Sequence, residues 1–288
     1  MPRRRQRSAA EVPTIEIDGR GVGWGSGGVE WRQDRPTLLL IHGAGSDHSV
    51  WALQARSLAQ AGWNVLAPDL PGHGQSKDMQ GLESIAGYAA WVGRLLDALD
   101  CDRVAVAGHS MGACIALELA AARPDSIAAL AVVGAGDSLP VNPSLLADCL
   151  ERPLRAHAFI AAFGHGRASR FGGAEAPGIW MLGTALALLS RCEPAVLHRD
   201  FAACNDWRGA EVAVRVACPT LVLSGAGDRM TPPRAGKALA ARIDGARFEI
   251  IENSGHMMMS EAPNEVSAAL RRFLPTVEAV GEDGGAPG

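Results

Sequence analysis

Val104-Ala105-Val106-Ala107-Gly108-His109-Ser110-Met111-Gly112 is the stretch that decides the fold. It begins as a short, continuous apolar run, which is typical of a strand buried on both faces of a parallel sheet. From Met111 onward the apolar residues recur every three or four positions until Arg123-Pro124, where proline removes a helical hydrogen bond. The sequence therefore predicts a strand, a tight turn at Ser110 and a helix that ends at Ala122.

The same alternation of strand-like and helix-like segments continues on both sides of this stretch. Further apolar runs that end near glycine, proline or aspartate lie at residues 37–41, 64–67, 130–133, 220–223 and 248–251. Apolar residues at helical spacing also mark residues 51–61 and 82–99. Strands that alternate with helices predict an α/β fold with a doubly wound, mostly parallel sheet and helices on both faces.

A long insertion interrupts this alternation between residues 137 and 209, where no strand-like run occurs. Helical segments are predicted there at 145–154, 156–163 and 180–189, with a glycine-rich link at 164–173. A connection of roughly 70 residues is far longer than usual. We therefore predict a helical cap at 137–209, which divides the core into residues 13–136 and 210–275. The compositions of residues 1–12 and 276–288 predict disordered ends.

Composition excludes several classes of protein. Of the 288 residues 48% are hydrophobic and 20% are charged, the net charge is -4, and basic residues cluster only at positions 3–7. This is unlike a nucleic-acid-binding protein, and neither an apolar stretch of about 18 residues nor a secretory signal is found. The six cysteines show no zinc-ligand spacing. We therefore expect no metal site, and reduced thiols in a cytoplasmic protein.

The pentapeptide Gly108-His109-Ser110-Met111-Gly112 places a serine at the predicted turn. In a chain with 34 glycines, composition alone produces a Gly-x-Ser-x-Gly match in about one sequence in five. The position of the motif between a strand and a helix is what indicates a function, because a nucleophilic serine is held on a strained turn of this kind. The N-terminus of the helix stabilises negative charge beside it. We predict that Ser110 is a nucleophile and that Gly108, His109 and Gly112 support the turn.

A serine hydroxyl becomes a good nucleophile only when a base removes its proton. His256 is the candidate base, because it follows the last predicted strand at the sheet edge where sites on open α/β sheets form. The acid that orients the histidine has two candidates, since Gly-Ala-Gly-Asp occurs at 134–137 and again at 225–228, each time after a strand. The order serine, acid, histidine fits either. We favour Asp228, whose strand neighbours the one before His256, and keep Asp137 as the alternative.

Acyl transfer also needs two backbone N–H groups that stabilise the oxyanion of the tetrahedral intermediate. Met111, the residue after the serine, is expected to supply one of them. The other is expected from the loop His42-Gly43-Ala44-Gly45, which leaves the first strong strand. Ala44 is the preferred donor, because a glycine on each side permits a close approach. His42 and Gly43 are predicted to support this loop.

Taken in order, these motifs resemble the α/β-hydrolase superfamily over residues 14–274. The resemblance is carried by His42-Gly43-Ala44-Gly45, Asp69-Leu70-Pro71-Gly72-His73-Gly74-Gln75-Ser76, Gly108-His109-Ser110-Met111-Gly112, Gly227-Asp228 and Gly255-His256. It implies an eight-stranded, mostly parallel sheet with a helical cap between strands six and seven. It also implies a Ser110-His256-Asp228 triad, with Ala44 and Met111 as oxyanion donors.

Departures from related families narrow the expected activity. Serine at position 110 disfavours epoxide hydrolases and haloalkane dehalogenases, which use aspartate there. Carbon–carbon bond hydrolases share the architecture, but their usual elbow is missing, and Met257-Met258-Met259 stands where they carry a tryptophan after the histidine. The chain is most similar to serine carboxylesterases with a helical cap, and this resemblance implies hydrolysis without a cofactor or a metal.

The expected substrate is a small-to-medium apolar or aromatic ester, since aromatic and thioether side chains suit such ligands. The candidates for lining its pocket are Phe159, Phe163, Trp180, Trp207 and Met257, although these residues also suit packing between the cap and the core. The same triad serves lactonases, thioesterases, amidases, carbon–carbon bond hydrolases and cofactor-free perhydrolases. A ligand sensor with a vestigial triad is a less favoured alternative, because no motif is damaged. We expect a small-molecule ester as partner, no nucleic acid or membrane, and either a monomer or a homodimer.

Overall fold

The structure is a computed structural model that describes residues 15–171 and 180–274. The predicted disordered ends at 1–12 and 276–288 lie outside the described residues. Within them the strands are β1 (Ile15–Ile17), β2 (Arg20–Val22), β3 (Trp24–Gly25), β4 (Thr37–Ile41), β5 (Asn64–Pro68), β6 (Val104–His109), β7 (Ile127–Val133), β8 (Thr220–Gly225) and β9 (Arg247–Ile251). The helices are α1 (Ala52–Gln60), α2 (Ile85–Ala98), α3 (Met111–Ala122), α4 (Pro143–Glu151), α5 (Pro153–Gly164), α6 (Arg167–Arg170), α7 (Met181–Leu189), α8 (Pro194–Asp206), α9 (Ala210–Ala213), α10 (Pro233–Ala240), α11 (Met258–Glu261) and α12 (Pro263–Phe273).

A sheet ordered β3-β5-β4-β6-β7-β8-β9 forms the centre of the described part of the chain. All neighbours from β5 to β9 pair in parallel, and β3 pairs antiparallel with β5. The predicted strands are present, with ends that differ from the prediction by at most three residues. The prediction of a doubly wound, mostly parallel α/β sheet is confirmed.

The number of strands differs from the prediction, because this sheet has seven strands in the described residues and not eight. β1 and β2 form a separate antiparallel pair. At Gly23 the chain stops pairing with β1 and begins to pair with β5. The N–H of Gly23 donates to Oγ of Ser76 at 3.0 Å, and its carbonyl oxygen accepts from the N–H of Asp69 at 2.8 Å. These bonds interrupt the strand between β2 and β3, so only β3 reaches the main sheet.

The core lies on both faces of the sheet, because successive side chains of a strand point to opposite faces. On β4, Leu39 and Ile41 pack with α2 and α3, whereas Leu38 and Leu40 pack with α1 and α12. Strands that are apolar throughout are therefore expected at these positions, and burial on both faces drives their folding. The loops after β4, β6, β8 and β9 therefore begin at the carboxyl ends of strands that are packed on both faces of the sheet.

Helices α4 to α8 lie in the segment predicted as a cap, of which residues 172–179 are outside the described part. The predicted helices at 145–154, 156–163 and 180–189 correspond to α4, α5 and α7, and no strand occurs in the described residues of this segment. Helix α8 was not predicted. It begins with Pro194 in its first turn and buries Leu197 and Phe201 against α4. The limits of the cap as a domain, 137 and 209, stay a prediction.

Two further features are the lengths of the helices and the state of the cysteines. None of the helices within residues 15–171 and 180–274 is long and apolar enough to cross a membrane. All six cysteines lie in the described residues, where none forms a disulfide.

Candidate active site

Ser110 occupies a strained turn between β6 and α3. Its φ is 55°, in the left-handed region that residues other than glycine rarely adopt. The N–H of Ser110 donates to the carbonyl oxygen of Val133 at 2.9 Å, and the carbonyl oxygen of Ser110 accepts from the N–H of Ala113 at 2.9 Å. Bonds from both neighbouring elements thus hold the turn. They place the partly exposed Ser110 at the N-terminus of α3.

Both flanking glycines are required by the close approach of backbones around this turn. A Cβ at Gly108 would lie 2.1 Å from the carbonyl oxygen of Gly112. A Cβ at Gly112 would lie 2.3 Å from the carbonyl oxygen of Ile41, at the end of β4. The start of α3 therefore packs directly against the neighbouring strand.

His256, in the loop after β9, is paired with Asp228, in the loop after β8. Nδ1 of His256 donates to Oδ2 of Asp228 at 2.8 Å, and both residues are buried. The hydroxyl of Thr231 donates to the same oxygen at 2.7 Å, and the N–H groups of Met230 and Thr231 each donate to Oδ1 at 2.8 Å. Burial favours the neutral carboxyl group, but the charge and hydrogen bond of His256 and the bonds from Thr231 outweigh it and lower the pKa of Asp228. The carboxylate is ionised and held in place.

The structure brings Ser110, His256 and Asp228 together and leaves Asp137 outside the group. Ser110 and His256 line the same cavity. Asp137 instead forms an ion pair with Arg242, whose Nε lies 2.7 Å from its Oδ2. Oγ of Ser110 makes no hydrogen bond to the residues that the structure describes, and such bonds commonly tighten only when a substrate is bound.

His109 supports the loop that carries His256. Nε2 of His109 donates to the carbonyl oxygen of His256 at 2.9 Å, and the two rings lie 4.7 Å apart. Burial, together with the positive charge that His256 can carry, lowers the pKa of His109 to about 3. His109 is therefore neutral, and its single ring proton fixes the backbone of His256.

A second support, which the sequence did not indicate, joins the same loop to α5 and α6. Oε1 of Glu261 accepts from the N–H of Gly255 at 2.9 Å, and Oε2 accepts from the N–H of Gly166 at 2.7 Å. The N–H of His256 donates to the carbonyl oxygen of Gly164 at 2.8 Å. The loop of His256 is thus held between the predicted cap segment and the buried carboxylate of Glu261.

The loop after β4 passes directly over the Ser110 turn. A Cβ at Gly43 would lie 3.2 Å from Cβ of Ser110, and Ala44 lines the same cavity as the serine. The N–H groups of Ala44 and Met111 donate to no protein acceptor among the described residues. Two free N–H groups beside a serine at a helix N-terminus can stabilise an oxyanion.

His42 links this loop to the one after β5. Its Nδ1 donates to the carbonyl oxygen of Gly43 at 2.9 Å, and its Nε2 accepts from the N–H of Leu70 at 3.0 Å. Complete burial and the nearby positive charge of His73 lower the pKa of His42 to about 4. The neutral ring therefore has a single tautomer, which holds the backbone of the two loops together.

The cavity beside Ser110 has a volume of about 50 Å³ and adjoins a larger one of about 330 Å³. Both are bordered by His165, Ala185, Leu188 and Met257. The lining of the smaller cavity is mainly apolar and includes Ile160, Ala161, Leu189, Phe201 and Met230. The space next to the serine is therefore small and apolar, and the larger space shares four of its lining residues.

Four of the predicted pocket residues do not line the cavity beside Ser110, and only the prediction for Met257 agrees with its lining. Phe159 and Phe163 stack on each other with ring centroids 4.8 Å apart, and Arg229 lies over Phe163. Trp180 is 65% exposed. Trp207 packs against the core, and its Nε1 donates to Oε1 of Glu118 on α3 at 3.0 Å. The prediction was wrong because it counted aromatic residues without knowing which face of each helix meets the serine.

Three side chains that could bind a metal ion lie close together in the described part of the chain. Asp47, His48 and Asp69 place one ligand atom each within 4.8 Å of one another. Nδ1 of His48 already donates to Oδ1 of Asp69 at 2.8 Å, and Oδ1 of Asp47 accepts from the N–H of Ser49 at 2.9 Å. These hydrogen bonds occupy the atoms that would otherwise bind a metal ion, and they stabilise the local structure.

Comparisons with known proteins identify relatives of this chain. Residues 38–269 match the model of the Alpha/beta hydrolase family. The pimeloyl-[acyl-carrier protein] methyl ester esterase of Aromatoleum aromaticum is 33% identical over 252 residues, which cover 82% of this chain and 97% of that protein.

Solved structures are similar over nearly the whole chain. The structure of an N-acyl homoserine lactone degrading enzyme is 25% identical, has a TM-score of 0.78, and the match covers 91% of this chain and 100% of that one. The enol-lactonase from Burkholderia xenovorans is 21% identical, with a TM-score of 0.80 and coverage of 91% and 99%. The second likeness concerns the fold alone.

Proposed function

The chain belongs to the alpha/beta hydrolase family and is an ester-hydrolysing enzyme, and on this premise we propose that it cleaves carboxylic esters through an acyl-enzyme on Ser110. The observation that carries the proposal is the position of Ser110 on a strained turn at a helix N-terminus, in one cavity with His256. The bond of 2.8 Å from His256 to the ionised Asp228 adds the group that orients the base.

The proposed mechanism follows from these positions. His256 takes the hydroxyl proton while Oγ of Ser110 attacks the ester carbonyl carbon, and the N–H groups of Ala44 and Met111 stabilise the oxyanion. The bond to the leaving alkoxide then breaks, and His256 gives it the proton. Water, deprotonated by His256, then attacks the acyl carbon. The bond from that carbon to Oγ of Ser110 breaks as His256 returns the proton to Oγ, and the carboxylic acid leaves. Asp228 remains ionised and stabilises the imidazolium that forms in each step.

The two cavities support a substrate with groups of unequal size. The space of about 50 Å³ beside Ser110 suits a small apolar group. The adjoining space of about 330 Å³ suits a larger group, and its lining includes Thr184, Ser260 and Arg191 as polar contacts. We therefore propose an ester that joins a small apolar group to a medium-sized, partly polar one.

Lactone hydrolysis is the second candidate, because it breaks the same bond within a ring. The solved structure at 25% identity is of an enzyme that degrades N-acyl homoserine lactones. The relative at 33% identity is named as a methyl ester esterase, and this favours open-chain esters as the first choice.

A substrate panel with matched serine variants tests the proposal. Purified protein is assayed with p-nitrophenyl esters of increasing acyl length and with lactones of increasing ring and chain size. Ser110→Ala is expected to abolish turnover of every substrate in the panel. Ser126→Ala, the same substitution directly before β7 at the opposite edge of the sheet, is expected to leave turnover unchanged. Turnover that persists in folded Ser110→Ala would exclude the proposed mechanism.

A further inference from the structure

A buried carboxylate of α8 reaches across to the loop that carries the proposed oxyanion donor. Asp200 is completely buried, and its Oδ2 accepts from the N–H of Gly45 at 3.0 Å. Gly45 is the residue after Ala44. The contact therefore joins the predicted cap segment to the loop after β4, between residues that are 155 positions apart in the chain.

Gly45 is also held by packing against α8 and the end of α7. Its φ is 64°, and a Cβ there would lie 2.6 Å from Cδ1 of Leu197 and 3.2 Å from Cδ2 of Leu189. Leu197 and Asp200 are three positions apart on α8, so they present neighbouring surface on one side of the helix. The helix thus fixes Gly45 both by contact at its α-carbon and by a hydrogen bond at its nitrogen.

Asp200 is itself fixed by two further donors from the core. Nε2 of His73 lies 2.8 Å from its Oδ2, and the hydroxyl of Tyr88 donates to its Oδ1 at 3.1 Å. Nδ1 of His73 faces the carbonyl oxygen of Pro71 at 3.2 Å, so both ring nitrogens face acceptors and the ring donates at both.

The charge state of His73 agrees with this geometry. Burial opposes a positive charge, but the charge and hydrogen bond of Asp200 outweigh it and raise the pKa of His73 well above its usual value. Separating the partners of this buried ion pair is costly, because each would be left buried and unpaired. The carboxylate therefore offers Gly45 an acceptor that does not move.

We propose that Asp200 is a positioning residue for the oxyanion hole. By holding the N–H of Gly45 it fixes the backbone that follows Ala44, and so keeps the Ala44 N–H where the oxyanion forms. Asp200 does not border the cavities beside Ser110, so it acts through the loop and not on the substrate. This inference rests on the proposed oxyanion role of Ala44. It assigns part of the stabilisation of the transition state to α8.

Asp200→Asn tests the inference, because the amide keeps a single accepting oxygen for three donors, its NH2 group only donates, and the charge that pairs with His73 is lost. A group needed only in the transition state affects kcat and leaves KM unchanged. We expect kcat for the best p-nitrophenyl ester to fall by about 10- to 100-fold, less than the 10²- to 10³-fold effect of removing an oxyanion donor outright. KM is expected to stay within about twofold. Affinity for a trifluoromethyl ketone, which forms a tetrahedral adduct with the serine, is expected to fall by the same factor as kcat.

Asp148→Asn is the matched control, because Asp148 is a buried carboxylate of α4 whose Oδ1 pairs with Nε of Arg152 at 2.8 Å. It is expected to leave kcat and ketone affinity unchanged. Three results would overturn the inference: wild-type kcat in folded Asp200→Asn, a fall in kcat without a fall in ketone affinity, or equal losses in Asp148→Asn.

If Asp200→Asn does not fold, His73→Gln is tested in its place. This substitution removes the charged partner of Oδ2 of Asp200. It is expected to lower kcat and ketone affinity together, and no change in either would overturn the inference. A wild-type protein that hydrolyses no ester or lactone would overturn the proposed function and this inference with it. An active wild type with an equally active Asp200→Asn would overturn the inference alone.

Discussion

Oδ2 of Asp228 lies 2.8 Å from Nδ1 of His256. Because the carboxylate accepts a hydrogen bond from Nδ1–H, Nε2 of the neutral ring is left with a lone pair, as the proposed base requires. Bonds from the backbone of Met230 and Thr231 keep the carboxylate from turning. The pair therefore fixes both the tautomer and the orientation of the histidine that the proposed mechanism requires.

Asp228→Asn is expected to lower kcat by about 10⁴-fold, the effect of the same change in a Ser-His-Asp protease, because the amide favours the wrong tautomer of the histidine. Asp137→Asn is the matched control, since Asp137 pairs with the half-exposed Arg242, and its kcat is expected to stay within about twofold. Steady-state kinetics of both variants decide between the two aspartates. A larger loss in Asp137→Asn would contradict the assignment.

Gly112→Ala is expected to destabilise the protein by about 3 kcal/mol or more. A Cβ at this position would lie 2.3 Å from the carbonyl oxygen of Ile41 and 2.4 Å from that of His42, and backbone atoms of a central strand have little room to move. The free energy of unfolding is measured by urea denaturation. The control is Gly21→Ala, where a Cβ meets nothing within 4 Å, and a change within about 0.5 kcal/mol is expected. Equal stability of the two variants would show that the α3–β4 contact is looser than described.

The free energy of unfolding is expected to be highest near pH 6.5. Two buried histidines have lowered pKa values, which decrease stability below this pH, and a third has a raised pKa, which decreases stability above it. Burial lowers the pKa of His42 to about 4 and that of His109 to about 3, against 6.5 for an ordinary histidine. As the pH falls from 6.5 towards 4, the unfolded chain binds more protons than the folded one, so the free energy of unfolding decreases. The pKa of His73 is raised, so above pH 6.5 the folded chain keeps a proton that the unfolded chain loses. The free energy of unfolding therefore decreases on that side as well.

Urea denaturation between about pH 4.5 and about pH 9 measures this profile, in which a shift of one pKa unit corresponds to about 1.4 kcal/mol. In His73→Gln the decrease above pH 6.5 is expected to become shallower. The decrease below pH 6.5 is expected to keep most of its slope, because burial is the larger cause of the lowered pKa of His42 and also lowers the pKa of His109. A wild-type protein that grows more stable between pH 7 and pH 9 would contradict a charged, buried His73.

The sequence predicts the strands from β4 to β9 and the position of Ser110 because their signals are local. A buried strand requires a continuous apolar run, and a tight strand-to-helix turn requires glycines on both sides of the serine. The choice of Asp228 over Asp137 depended on the order of strands in the sheet. β8 pairs with β9, which precedes His256, and this order places Asp228 at the histidine.

Contacts between distant segments could not be predicted in this way. Glu261 and Gly166 are 95 positions apart, and charged residues such as Glu261 and Asp200 are usually exposed, so nothing in their surroundings marked them as buried supports. The aromatic residues of the predicted cap were assigned to the pocket by composition, but Phe159 and Trp180 lie largely on the surface. Which face of a helix meets the active site depends on tertiary packing.

Covalent labelling followed by mass spectrometry locates the nucleophile itself. A p-nitrophenyl phosphonate ester is expected to release one equivalent of p-nitrophenol per chain and to leave a single phosphonyl adduct on the peptide that contains Ser110. Ser110→Ala is expected to form no adduct and to turn over no ester. An adduct on a different residue, or wild-type turnover of esters by a protein that Ser110 does not label, would contradict the assignment of Ser110 as the nucleophile.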